Sequence, residues 1–169
     1  MNNHFSIRSA TEKDIDSIVA MRLSLQEHMS AINANLWKMS EKSIAGLPKF
    51  YKSALEDEHC HLVIAEDKAS RNILGMGLGR IYEHDEHVPS KSGKIDDIWV
   101  EPDYRKKGIC KKIFSELMIF FKAKGIEMMV LNFVNGNLEA EAVWKHFGFQ
   151  PILSTATAKL ADVVAYYKK

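Results

Sequence analysis

The chain has little of what would staple, break or anchor it. Only two cysteines, Cys60 and Cys110, occur in 169 residues. They show no metal-like spacing, a disulfide framework is not expected, and a reducing, cytoplasmic setting is the default. Four prolines leave no proline-rich linker, and there is no internal repeat or low-complexity segment. No sign of charge prevails: 23 Lys and Arg face 22 Asp and Glu, a net +1, without the broad basic excess of a nucleic-acid-binding surface. The longest apolar runs, such as 118–121 and 128–131, are a few residues long, far short of the roughly 20 that span a membrane. The opening Met-Asn-Asn-His has no charged segment leading into an apolar one, so no signal peptide is expected. What remains is 46% apolar and 27% charged residues, the balance of one soluble globular domain, 1–169, large enough to bury a core.

Periodicity gives the elements. Residues 5–8 alternate as a short strand, and Thr11 with Asp14 reads as a capping box opening a helix that reaches residues 26–29. A second helical region spans 40–55, disturbed at Gly46 and Pro48. Residues 61–65 and 73–82, the latter with Gly75, Gly77 and Gly79, read as a hairpin. Residues 84–93 read as a loop, followed by a strand over 94–100. Ile109, Ile113, Leu117, Phe120 and Phe121 mark the apolar face of a clear helix ending near Gly125. A buried strand over 127–133 follows, then a helix over 138–147 and a final strand region within 149–160. The β-α-β unit over 95–133 predicts parallel adjacency and the hairpin antiparallel pairing, so the expected fold is α/β with a mixed sheet.

The stretch from Val100 to Lys112 carries the most chemistry. A strand runs into a Pro102-containing turn that opens the clear helix, and Arg105, Lys106, Lys107, Lys111 and Lys112 crowd the junction with no acid among them. Free N–H groups, the helix dipole and Gly108 make this an expected phosphate cradle.

Arg105-Lys-Lys-Gly108-Ile109-Cys110 resembles the cofactor motif of the GNAT superfamily of N-acetyltransferases, Arg or Gln, two residues, Gly, one residue, Gly or Ala. A second block, from Asn137 through Ala140, Val143 and Trp144 to Gly148-Phe149, is similar to the family's Asn-x-x-Ala-x-x-Leu-Tyr-x-x-x-Gly-Phe. Ile7-Arg8-x-Ala10-x-x-x-Asp14 resembles its first strand and helix. The resemblance implies a single-domain fold with a mixed, mostly antiparallel central sheet flanked by helices. It implies acetyl-CoA as co-substrate, held by Ile98, Trp99, Val100, Arg105, Lys106, Lys107, Gly108, Ile109, Cys110, Lys111, Asn137 and Trp144. Direct acetyl transfer to a primary amine of a small molecule or peptide is the implied reaction, with the pantetheine arm along the strand ending at Val100. A homodimer is compatible with such folds, but no interface is specified.

An amine must shed its proton before attack. Asp96 and Asp97 are the expected catalytic carboxylates; strict strand alternation would turn them to opposite faces, so only one would face the cleft. The pair resembles the Glu-Asp position of the polyamine and diamine branch, and attraction of a cationic amine is an equal expected role for Asp96 and Asp97. The sequence departs from the family at Cys110 and at Trp144, which replaces the usual tyrosine acid with a group that donates no proton at neutral pH. A non-catalytic acyl-CoA-binding regulatory module is the alternative. Glu83-His-Asp-Glu-His87 falls in a loop and is read as solvated or lining the amine entrance, so no metal is expected.

Overall fold

The computed structural model describes residues 4–33 and 38–167. The chain divides into two compact units, residues 1–28 with 38–132 and residues 29–37 with 133–169.

The first unit is built on a five-stranded sheet in the order β1-β2-β3-β4-β5: β1 (Phe5–Ser9), β2 (Cys60–Asp67), β3 (Ile73–Glu83), β4 (Lys91–Val100) and β5 (Met128–Leu131). The first three pairings are antiparallel. The last, β4 with β5, is parallel and is joined through helix α3 (Ile109–Ala123). This is the expected mixed, mostly antiparallel α/β arrangement. Helices α1 (Ile15–Ile32) and α2 (Glu41–Glu56) precede β2.

Side-chain size separates the two faces. Leu62 and Ile64 of β2 and Met76 and Leu78 of β3 join Ile18, Met21, Leu47 and Tyr51 of α1 and α2 in one buried cluster. The opposite face of β3 is a stripe of glycines. A Cβ at Gly77 would lie 2.5 Å from Ile113 Cγ2, and one at Gly79 2.8 Å from Phe121 Cζ. Removing those side chains brings α3 down onto the sheet, which fixes where its N-terminus emerges beyond β4. Gly77→Ala is therefore expected to cost about 1–3 kcal/mol through overpacking. Urea unfolding checks this; unchanged stability would mean that α3 yields without cost.

The family-like opening is a structural device. Asp14 closes the Glu12–Asp14 turn by accepting from the Thr11 backbone N–H at 2.7 Å and its hydroxyl at 2.8 Å. Arg8 reaches across to Asp14 at 2.8 Å and Glu66 at 2.7 Å, both carboxylates buried. The Arg8 hydrogen bond holds the Asp14 carboxyl down from the ordinary 3.8 to about 2. A depressed carboxyl stabilises the fold above its unfolded value and loses that contribution as pH falls through its folded value. Stability should thus decline from about pH 3.8 toward 2. The decline should be smaller in Arg8→Met, which is already weakened at neutral pH; acid titration of the unfolding midpoint reads both.

Several expectations need correction. Helix α2 runs unbroken through Gly46 and Pro48, because Leu47, Tyr51 and Ala54 anchor its buried face. Helix α1 extends to Ile32, and β4 begins at Lys91, shortening the expected loop. The run expected as a buried strand over 127–133 forms only four residues of strand at the sheet edge, with Met128 and Val130 exposed. No strand forms within 149–160; helix α5 (Leu160–Tyr166) follows an exposed stretch without regular structure. Alternating apolar residues supply strand propensity, but a strand needs a partner and a face to bury.

In the second unit, Asn137 caps helix α4 (Leu138–His146), accepting from the Ala140 N–H at 3.0 Å. Buried Trp144 packs against the rings of Phe147 and Phe149. No helix among the described residues is long and apolar enough to cross a membrane.

Candidate active site

The site in the first unit begins with a bulge. On β3 and β4, Gly79 pairs with Ile95 while the adjacent Leu78 pairs with Asp97, leaving Asp96 as the extra residue. A bulge shifts the pleat by one position. The expectation that Asp96 and Asp97 face opposite sides is therefore overturned: both line one cavity of about 480 Å³. Arg22, Leu47, Phe50, Tyr51, Arg80 and Tyr82 share its walls.

The two carboxylates differ. Asp97 is buried, accepts from the Tyr51 hydroxyl at 2.9 Å and pairs with Arg22 Nε at 3.1 Å. Burial raises its carboxyl above the ordinary carboxylate value, against the opposing pull of Arg22. A carboxylate offers about four lone-pair sites, so Asp97 retains acceptor capacity beyond these two partners. Asp96 is less enclosed. It lies 2.9 Å from Lys94 Nζ and 3.2 Å from Arg80 Nε, and accepts from the Tyr82 hydroxyl at 3.1 Å. Desolvation pushes the Tyr51 and Tyr82 phenols up, so both remain protonated donors.

Beside this cavity β4 loses its neighbour. The β4–β5 ladder spans only Ser92–Ile95 against Met128–Leu131, so 96–100, including Ile98, Trp99 and Val100, run on without β5. The Trp99 side chain is turned away into the core shared with α1 and α2, and its indole N–H is buried without a hydrogen-bond partner among the described residues.

After Val100, the Pro102–Tyr104 turn leads to the N-terminus of α3. Lys106 and Gly108 take the left-handed region, φ 58° and 84°; for a lysine this is uncommon. Among the described residues nothing lies within 4 Å of a Cβ built at Gly108. The five cations divide. Arg105 bonds the Val100 carbonyl at 3.1 Å and stacks over Trp99, while Lys107 bonds the Asp103 carbonyl at 2.9 Å and lies over Tyr104. These two brace the turn. Lys106, Lys111 and Lys112 are exposed. Ile109 is buried beneath the cradle, and Cys110 is half-buried on the first turn of α3, in no disulfide. A left-handed, N–H-rich turn beside exposed lysines fits a phosphate-bearing cofactor, and a strand segment that β5 does not pair fits an extended arm.

The sequence reading missed Arg22, Phe50, Tyr51 and Arg80. Tyr51 left a signal: with Leu47 and Ala54 it completes the buried stripe of α2, and a buried hydroxyl needs a partner. No local pattern points to the others. Asn137 and Trp144 belong to the second unit, where they cap and pack α4. Among the described residues no group of three or more His, Cys, Asp or Glu is placed to hold a metal ion.

This combination of shortened β4–β5 pairing, cradle and cavity suits group transfer from a phosphate-bearing carrier. The chain belongs to the acetyltransferase (GNAT) family, whose model matches residues 24–149, and is an acetyl-CoA-dependent N-acetyltransferase. Among solved structures it is similar to the acetyl-CoA complex of a predicted acetyltransferase from Clostridium acetobutylicum, with 20% identity, 94% of this chain and 97% of the other covered, and a TM-score of 0.72. A glucosamine-6-phosphate N-acetyltransferase from Arabidopsis thaliana shares 16% identity over 92% and 98% of the chains, TM-score 0.69. An aminoglycoside 6'-N-acetyltransferase from Acinetobacter baumannii shares 17% over 92% and 97%, TM-score 0.71. No curated protein sequence matches the chain.

Proposed function

We propose that the first unit transfers the acetyl group directly from acetyl-CoA to a primary amine held in the Asp96–Asp97 cavity, within a ternary complex. The observation that carries this reading is the bulge, which brings both carboxylates onto one cavity alongside the stretch of β4 that β5 leaves open. In this reading the pyrophosphate rests on the N–H groups of residues 106–111, with Lys106 and Lys111 supplying charge and Arg105 and Lys107 holding the turn. The pantetheine arm lies along Ile98, Trp99 and Val100 like an added strand. A backbone N–H of this strand receives the thioester oxygen as it becomes an oxyanion, a contribution of about 3–4 kcal/mol.

Asp97 is the proton acceptor. An exposed alkylamine has a pKa of about 10.4, too high for a carboxylate to deprotonate it outright. Cations lining the cavity disfavour the ammonium form and lower that barrier. After attack, the nitrogen of the tetrahedral intermediate becomes far more acidic, and Asp97, directly or through one water, takes its proton. The carbon–sulfur bond then breaks and coenzyme A departs. A thiol near pKa 8.5 leaves readily as thiolate, so Trp144 in place of a tyrosine is no obstacle.

Thiol release on mixing acetyl-CoA with a panel of amines tests the proposal, with acetylated amine expected in equal amount. Tight acetyl-CoA binding without thiol release across the panel would identify a non-catalytic acyl-CoA-binding module instead.

A further inference from the structure

The charges around the cavity do not balance. Asp97 is matched by Arg22 at 3.1 Å and Asp96 by Lys94 at 2.9 Å. Arg80 also pairs with Asp96, so three cations face two carboxylates and one positive charge is left over. The Nε of Arg80 stands 3.2 Å from Asp96 Oδ2, yet this buried nitrogen has no hydrogen-bond partner among the described residues, because the pair lacks the alignment a bond requires. Its guanidinium carbon lies over two aromatic rings, 5.0 Å from the centre of Phe50 and 5.7 Å from that of Tyr82. Those rings, with Leu47 and Met39, also form the apolar part of the cavity wall. A guanidinium fixed against aromatic faces, with donors to spare, suits a carboxylate or phosphate, which it can grip with two parallel bonds.

We propose that the acceptor is an amine that also carries an anionic group, a carboxylate or a phosphate, and that Arg80 holds that group. This rests on the amine-acetyltransferase reading above and narrows it. It also reverses the role suggested by two adjacent aspartates. Their charges are consumed by Arg22 and Lys94, so they no longer offer a cationic polyamine a net attraction, and Arg80 repels its second ammonium.

Matched pairs of amines test this. Thiol release from acetyl-CoA is compared for phenylalanine against phenethylamine, for ethanolamine phosphate against ethanolamine, and for putrescine as a dication. The first pair reports a carboxylate, the second a phosphate. In parallel, calorimetry measures binding of each amine to the protein saturated with coenzyme A. In at least one pair the acid-bearing member should have a kcat/KM about 10- to 100-fold higher, the range of a charged hydrogen-bonded contact. Arg80→Gln should bring that ratio near one through KM, and Arg80→Lys should restore part of it. The inference is overturned if plain amines or putrescine match or exceed the acid-bearing amines, if the preference survives in Arg80→Gln, or if no acid-bearing amine is bound or acetylated. Arg80-dependent binding of an acid-bearing amine with no turnover of any amine would uphold the anion site and sink the acetyl-transfer reading alone. Turnover of plain amines without preference would do the reverse.

Discussion

Asp97→Asn should lower kcat by about 10²- to 10⁴-fold, the range for loss of a positioned proton acceptor, while acetyl-CoA binding persists. The amide keeps an oxygen for the Tyr51 hydroxyl, now at 2.9 Å from the carboxylate, but cannot take a proton. The pH dependence adds a sharper readout. Burial raises the Asp97 carboxyl above its ordinary value, and only the ionised form accepts a proton. The acid limb of kcat in the wild-type protein should therefore lie higher than an exposed aspartate would set it, and Asp97→Asn should lose that limb. Cofactor titration separates this from misfolding. A variant within threefold of the wild type, with its acid limb intact, would remove Asp97 from the mechanism. Asp96→Asn then becomes the informative comparison, since Asp96 contacts Lys94, Arg80 and Tyr82 and positions the wall that holds Arg80.

Reversing two charges of the cradle, Lys106→Glu with Lys111→Glu, should raise the KM for acetyl-CoA by about 10²- to 10³-fold. The value at saturating cofactor, kcat, should change little, because the pyrophosphate is bound equally in ground and transition states. Both lysines are exposed, so the effect should shrink as salt rises and screens them. Reversal at these positions leaves the turn itself intact, since Arg105 and Lys107 make its internal contacts. An unchanged KM would mean that the anionic end of the cofactor rests elsewhere.

The legible and illegible parts of this molecule differ in the range of the interactions that build them. Residues 95–123 announced a strand, a turn and a helix because each is written in local periodicity and in one glycine. The glycines of β3 were visible as residues, but their purpose, the close approach of α3, needed Ile113 and Phe121 to be placed over them. The expected last strand failed for the complementary reason. Residues 150–159 are exposed and join no strand ladder. Pro48 misled in the other direction, because a local penalty was outweighed by the burial of Leu47, Tyr51 and Ala54.

The sequence by itself determined the family and the cofactor. A cradle for an anion is contiguous: Val100, the Pro102 turn, Lys106 and Gly108 lie close along the chain, and backbone geometry plus local charge complete it. Only the tertiary structure decided the make-up of the cavity proposed for the acceptor. Asp96 and Asp97 share a cavity because a mismatch against Leu78 and Gly79 shifts the pleat between them, and strand periodicity read on one chain segment has no access to its partner's register. Arg22, Tyr51 and Arg80 come from three separate elements, and their meeting at those carboxylates turns an acidic pair in the sequence into a cavity with a cation to spare.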